Sequence, residues 1–219
     1  VGDIHGELAG FRDILENTGL ITKGKDPDGS DDVWAGGSAC LVQGGDVIDR
    51  GPRSIEAFVY LRMLQERARD AGGEVVRLVG NHELFYLYKH ARGKWKGKAE
   101  KLRKAGKIRG FGDELWKDDK RIVGMIREDI KNGSLVGVYS AGGKVFSHGV
   151  ITPDLIDEMQ GHYVGEIDEP SAFEYAVNKA LREAVRNNRF DDIIFSSSPG
   201  VIHDTVTGIA DFYFSDLTH

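Results

Sequence analysis

The chain is short of cysteine and proline. Its one thiol, Cys40, has no partner for an intramolecular disulfide, and a cysteine zinc cluster is excluded. Cys40 stands in the apolar run Ala39-Cys40-Leu41-Val42 and reads as a buried strand residue rather than a reactive thiol. No apolar stretch reaches the length of a membrane span. No internal repeat is visible. Positive charge is not in excess either: the net charge is −6, which argues against a general nucleic-acid binder. No signal peptide is visible, but that says little for a chain that opens inside a strand, so the compartment is left unknown, with a cytoplasmic location weakly favoured. The chain opens without Met at Val1-Gly2-Asp3, as if inside a strand, so a single domain over 1–219, truncated at both ends, is expected.

Glycine, in contrast, is abundant. Twenty-nine glycines in 219 residues signal tight turns or close approaches of the backbone to a ligand. Hydrophobic spacing predicts a helix from Glu7 to Asn17, with Leu8, Phe11 and Leu15 on one face. A loop from Lys23 to Gly37 follows. Its Asp26, Asp28, Asp31 and Asp32 read as a solvated acidic loop rather than a calcium site. A buried strand is predicted over Ala39–Gln43, and a helix over Ser54–Asp70 with Ser54 as N-cap. Glu74–Val79 reads as a third strand. Strand and helix alternate, which predicts an α/β fold with a mainly parallel sheet. Further helices are expected at Lys89–Arg109, Asp113–Lys131 and Asp154–Met159. Ser171-Ala172-Phe173-Glu174 reads as a capping box opening a helix to Arg186. Lys144–Ser147, Asp192–Phe195 and Ile209–Phe214 read as strands.

Three segments repeat one layout: an apolar strand, a glycine, then ligand-type residues. They are Gly2-Asp3-Ile4-His5-Gly6, Gly45-Asp46-Val47-Ile48-Asp49-Arg50-Gly51 and Gly80-Asn81-His82-Glu83. Ser147-His148-Gly149 is a fourth. In an open α/β sheet the carboxyl ends of the strands converge on one crevice. Asp3, His5, Asp46, Asn81 and His148 should therefore meet. Carboxylate, imidazole and amide ligands suit Mn, Fe, Zn or Mg. Five are too many for one catalytic ion with open positions; they suit two ions about 3.5–4 Å apart that share a carboxylate. Asp46 is the natural bridge.

These four segments, in this order, resemble the metallophosphoesterase superfamily, the calcineurin-like phosphoesterases. Gly45–Gly51 and the Asn-His-Glu form resemble its phosphoprotein phosphatase branch. Leu78-Val79-Gly80-Asn81-His82-Glu83 is most similar to the bacterial-type Shewanella-like phosphatases. The resemblance implies a β sandwich of mixed sheets flanked by helices. It implies Asp3 and His5 on one divalent ion, Asn81 and His148 on a second, and Asp46 on both. It also implies Arg50 on phosphate oxygens and His82 as general acid, oriented by Asp49, with Glu83 standing behind the ligands. An imidazole suits that role because its ordinary pKa sits near the working range.

The family pattern has a sixth ligand, a late histidine preceded by glycine. His203 and His219 both lack that glycine. Ser196–Ser198 lie in no nucleophile elbow and read as a loop. Lys89–Arg109 holds ten Lys and Arg against Glu100 alone, which marks 89–131 as a basic helical insertion or cap. The expected activity is dinuclear, metal-dependent hydrolysis of phosphomonoesters on phosphorylated protein or peptide. A dinucleoside tetraphosphate hydrolase or other small-molecule phosphoesterase is the first alternative, since fold does not decide substrate. Glu83 favours the protein phosphatase branch over relatives with aspartate there. A non-catalytic, metal-depleted binding domain is the second alternative; the Asp49, Arg50 and His82 set argues against it.

Overall fold

A computed structural model describes residues 1–92, 119–162, 167, 169–190 and 208–210. The chain begins hydrogen-bonded beside the first long strand. The Val1 amino group donates to the Val42 carbonyl at 2.9 Å, and Gly44 N–H donates to the Val1 carbonyl at 2.7 Å. Helix α1 (Leu8–Asn17) buries Leu8, Phe11 and Leu15, the face that the spacing predicts. A two-stranded ribbon follows, β1 (Ile21–Thr22) against β2 (Val33–Trp34).

The central sheet is parallel. Strand β3 (Cys40–Gln43) pairs with β4 (Glu74–Leu78), and β4 with β5 (Leu135–Val136). Helix α2 (Ser54–Asp70) makes the crossover from β3 to β4 and packs on β4. Val75, Val76, Arg77 and Leu78 are all buried, as expected of a parallel strand covered on both faces. Arg77 is accommodated by an ion pair with Asp129 at 2.8 Å and a hydrogen bond to Gln65 Oε1 at 3.1 Å. Asp129 lies on α4 (Asp119–Asn132), which packs on β5 and on α3 (Asn81–Arg92).

A second sheet is antiparallel: β6 (Val138–Ala141), β7 (Lys144–Ser147) and β8 (Gly208–Ala210), in that order. Gly142 and Gly143, at φ 58° and 75°, form the two-residue loop between β6 and β7. Two left-handed residues give the turn that matches strand twist, so the pair must run antiparallel. Helix α5 (Pro153–His162) leads on to α6 (Pro170–Asn187), which lies on β6 and β7. The mainly parallel expectation therefore holds for the first sheet, whereas the second sheet is antiparallel, and helices pack on both.

Several local readings are corrected. Cys40 lies in its strand but is exposed. Ser54 is the first residue of α2, and its hydroxyl accepts the Asp49 N–H at 2.9 Å instead of capping the helix. Glu174 is not part of a capping box; it accepts Ser140 N–H at 2.9 Å and Ser140 Oγ–H at 2.5 Å from β6. The acidic loop is not merely solvated. Asp32 is buried against Arg12 (2.6 and 2.8 Å) and Tyr60 (2.8 Å), while Asp31 accepts backbone N–H groups of Lys25 and Asp26. The strand expected at Asp192–Phe195, Ser196–Ser198, His203, His219 and residues 93–118 of the basic segment lie outside the described residues.

Candidate metal centre

The three glycine-rich turns and Ser147-His148-Gly149 meet at the carboxyl ends of β3, β4 and β7. Their backbones are locked together before any side chain is considered. Ile4 and His5 N–H both donate to the Asp46 carbonyl (3.0 and 2.9 Å), and Gly6 N–H to the Val47 carbonyl (2.8 Å). Two glycines are required here. A Cβ at Gly80 would fall 2.2 Å from Asp46 Oδ1, and one at Gly45 would fall 2.8 Å from Gly80 Cα.

Four ligand-type residues occupy the left-handed region that side chains avoid: His5 (φ 47°), Asp46 (53°), Asp49 (77°) and Arg50 (65°). Only Asn188 shares this conformation among the other described non-glycine residues. Each such residue costs on the order of 1–3 kcal/mol and persists only where surrounding bonds impose it. For Asp46, Glu83 supplies such bonds. Its fully buried carboxylate accepts N–H groups from Gly80 (2.8 Å), Asp46 (3.0 Å), Val47 (3.0 Å) and Ile48 (3.2 Å). Burial pushes the Glu83 carboxyl up, the Asp46 charge adds to this, and the N–H donors oppose it. Its place on the far side of the turn was expected; its grip on four amides was not, because motif spacing does not reveal backbone donors.

The side chains converge on one atom. Asp46 Oδ2 lies 3.7 Å from His5 Nε2, 3.8 Å from His82 Nε2 and 3.6 Å from His148 Nε2. Asp3 Oδ2 is 3.6 Å from His5 Nε2. Two overlapping clusters could hold a metal ion: Asp3, Asp46 and His148, and His5, Asp46 and His82. Asp46, Asp49, Glu83 and His148 are buried, whereas Asp3 and Arg50 sit exposed at the mouth.

The donor chemistry fits a cation. His5 Nδ1 lies 3.1 Å from the Ile48 carbonyl and His148 Nδ1 lies 2.7 Å from the Gly44 carbonyl. Each carbonyl accepts the Nδ1–H, which in a neutral ring turns the Nε2 lone pair toward Asp46. His5 Nε2 is buried and has no hydrogen-bond partner. A buried lone pair aimed between two carboxylates is a poor arrangement unless a positive ion lies between them. Asn81 completes the set, with its amide 3.0 Å from His148 Nε2. With Nδ2 inward it donates to Asp46 at 2.9 and 3.1 Å and to His148 at 3.0 Å. With Oδ1 inward, the amide joins acceptors only, which a cation alone satisfies.

His82 differs from the other imidazoles. Its Nδ1 is 3.0 Å from Asp49 Oδ2, and its Nε2 is 3.3 Å from Arg50 Nη2. Burial opposes a charge on this ring. The Asp49 hydrogen bond and the charges of Asp46, Asp49 and Glu83 outweigh burial and hold its pKa above the ordinary imidazole value. All eight residues singled out by the sequence, Asp3, His5, Asp46, Asp49, Arg50, Asn81, His82 and His148, are thus brought to one crevice. Among the described residues no helix is long and apolar enough to cross a membrane.

Comparison with known proteins places this architecture. Over 87 residues the chain is 39% identical to Shewanella-like protein phosphatase 2 of Arabidopsis thaliana, which covers 40% of this chain and 20% of that protein. It is 34% identical, also over 87 residues, to a symmetrical bis(5'-nucleosyl)-tetraphosphatase of Aromatoleum aromaticum, covering 40% and 24%. These matches span about a quarter or less of the relatives' own length. In three dimensions the chain superimposes on a cold-active protein-tyrosine phosphatase of a psychrophilic Shewanella species. The TM-score is 0.60 at 20% identity, over 93% of this chain and 55% of that one. Residues 1–204 match the model of the calcineurin-like phosphoesterases, and the chain belongs to that family.

Proposed function

We propose that this chain is the catalytic region of a phosphatase that uses two divalent metal ions to hydrolyse phosphomonoesters on proteins or peptides. The observation that carries the reading is the convergence of His5 Nε2, His148 Nε2 and the Asn81 amide on Asp46, with Asp3 beside His5. In this reading Asp3, His5 and Asp46 hold one ion, and Asp46, Asn81 and His148 hold the other. Bound divalent cations supply Lewis acidity and an activated water near neutral pH.

Arg50 is exposed beside His82 and is placed to pair with phosphate oxygens through its planar donor fork. His82 presents Nε2 toward the same space and is the group that hands a proton to the departing alkoxide. Asp49 accepts from Nδ1. It thereby fixes the ring and stabilises the charged form from which the proton is given. The strained turns keep these groups in place before substrate arrives, so little reorganisation is needed in the transition state.

A nucleotide substrate is the second reading, favoured by the likeness to the tetraphosphatase. One assay separates the two. The purified protein, loaded with Mn²⁺, is offered phosphoserine, phosphothreonine and phosphotyrosine peptides and a dinucleoside tetraphosphate. Turnover of the peptides with little of the nucleotide supports the protein phosphatase reading. The reverse preference supports the nucleotide one, and turnover of neither overturns both.

A further inference from the structure

Gln43 is the last residue of β3 and is fully buried. Its side chain turns back on the two arms that carry the acidic ligands. Nε2 donates to the Gly2 carbonyl at 3.2 Å and to the Gly45 carbonyl at 2.6 Å. Oε1 accepts the Gly45 N–H at 3.2 Å. Gly2 precedes Asp3 and Gly45 precedes Asp46. One primary amide therefore joins the backbones immediately before both carboxylates.

The bonding pattern demands an amide. The Gly45 peptide needs an acceptor for its N–H and a donor for its carbonyl, both from one side chain. A carboxylate supplies no donor, and a thioether supplies no donor and only a weak acceptor. Gly45 lies at φ 92° and packs against Gly80 and His148, so this peptide cannot turn to find other partners. A buried polar group left unpaired there would be relieved by moving the arm that carries Asp46.

We propose that Gln43 is a positioning residue for the metal centre: it sets the separation of Asp3 and Asp46 and with it the affinity for the ions. This rests on the metal reading given above. Gln43 touches neither substrate nor ion, and its action runs through Gly2 and Gly45.

The test is Mn²⁺ titration of chelator-stripped protein, followed by calorimetry, beside thermal unfolding of the same samples. Gln43→Met keeps length and volume and removes the hydrogen bonds. Affinity for Mn²⁺ should fall about 10–100-fold, the usual loss when a group orienting metal ligands is removed. Leu41→Ala is the control: it truncates a buried side chain in the same strand and lowers stability through packing. It should leave Mn²⁺ affinity unchanged. Should Gln43→Met not fold, Gln43→Glu keeps the acceptor for Gly45 N–H, loses both donated bonds, and should weaken Mn²⁺ binding likewise. Wild-type affinity in the folded Gln43 variant, or an equal loss in Leu41→Ala, would overturn the proposal. Wild-type protein that binds no Mn²⁺ would instead overturn the metal reading on which it rests.

Discussion

The Glu83 carboxylate accepts the backbone N–H of Asp46 at 3.0 Å across 37 residues of chain. The same carboxylate holds Gly80, Val47 and Ile48. Asp46, on which the site's imidazoles converge, is thus gripped from behind by the residue two places after Asn81. Strain at Asp46 and the buried carboxylate at Glu83 are each unfavourable alone. Together they define one geometry, because four amide donors fit one planar acceptor pair.

Glu83→Gln is expected to destabilise the protein. Each Glu83 oxygen accepts two N–H groups, so converting either to NH₂ leaves two buried donors facing a donor. An unsatisfied buried N–H costs about 1–3 kcal/mol. For a domain of this size each kcal/mol lowers the melting temperature by about 2–4 °C. Thermal unfolding checks this, and an unchanged melting temperature would refute the clamp.

How far the sequence revealed this site follows from which interactions are periodic. Gly45–Gly51 and Gly80–Glu83 were legible because they follow apolar strands whose carboxyl ends must converge. Helix α1 was legible from the spacing of Leu8, Phe11 and Leu15. Ser54 was misread because a serine opening a helix has two uses, and spacing cannot show that its hydroxyl is taken by Asp49 N–H. Glu174 was misread for the same reason, its partner Ser140 lying 34 residues away. The second sheet was only partly seen. Val138–Ala141 is a short strand with polar Ser140 within it, and its pairing is dictated by the turn at Gly142-Gly143. Gln43 carried no signal at all, since its partners are backbone atoms 2 and 41 residues distant.

Asp46→Asn is expected to cost more metal than any other single ligand change. Oδ2 of Asp46 faces three imidazoles, and the proposed arrangement asks one carboxylate to serve two cations. An amide keeps the shape but loses the charge. Metal analysis of the purified variant beside His5→Asn and His148→Asn checks this. Two ions retained per chain in Asp46→Asn would remove Asp46 from the bridging position.

The raised pKa of His82 predicts a pH dependence for the metal-free fold. A histidine whose folded pKa lies above its unfolded value binds its proton more tightly when folded. That stabilisation is fully present below the unfolded pKa of about 6.5 and is lost as pH rises through the folded pKa. The melting temperature of chelator-treated wild type should therefore exceed that of His82→Asn most at acid pH, and the gap should close as pH rises through the raised pKa of the folded state. A gap that is constant across this range would show that Asp49 and its neighbours do not favour the imidazolium.

The proposed proton donation by His82 makes the sharpest kinetic prediction. His82→Asn should retain its metal, because Asp3, His5, Asp46, Asn81 and His148 remain. It should slow hydrolysis of alkyl phosphates such as phosphoserine peptides by about 10²–10⁴-fold, the range for loss of a general acid. Aryl phosphates with acidic leaving groups need little protonation, so their loss should be much smaller. Asp49→Asn should act in the same direction through His82, since it removes the carboxylate 3.0 Å from Nδ1 and leaves Nε2 in place. Rates across a leaving-group series, with metal content measured in parallel, decide the matter. A uniform loss across the series, with metal retained, would mean that His82 supports binding of the phosphoryl group with Arg50 and that the proton comes from elsewhere.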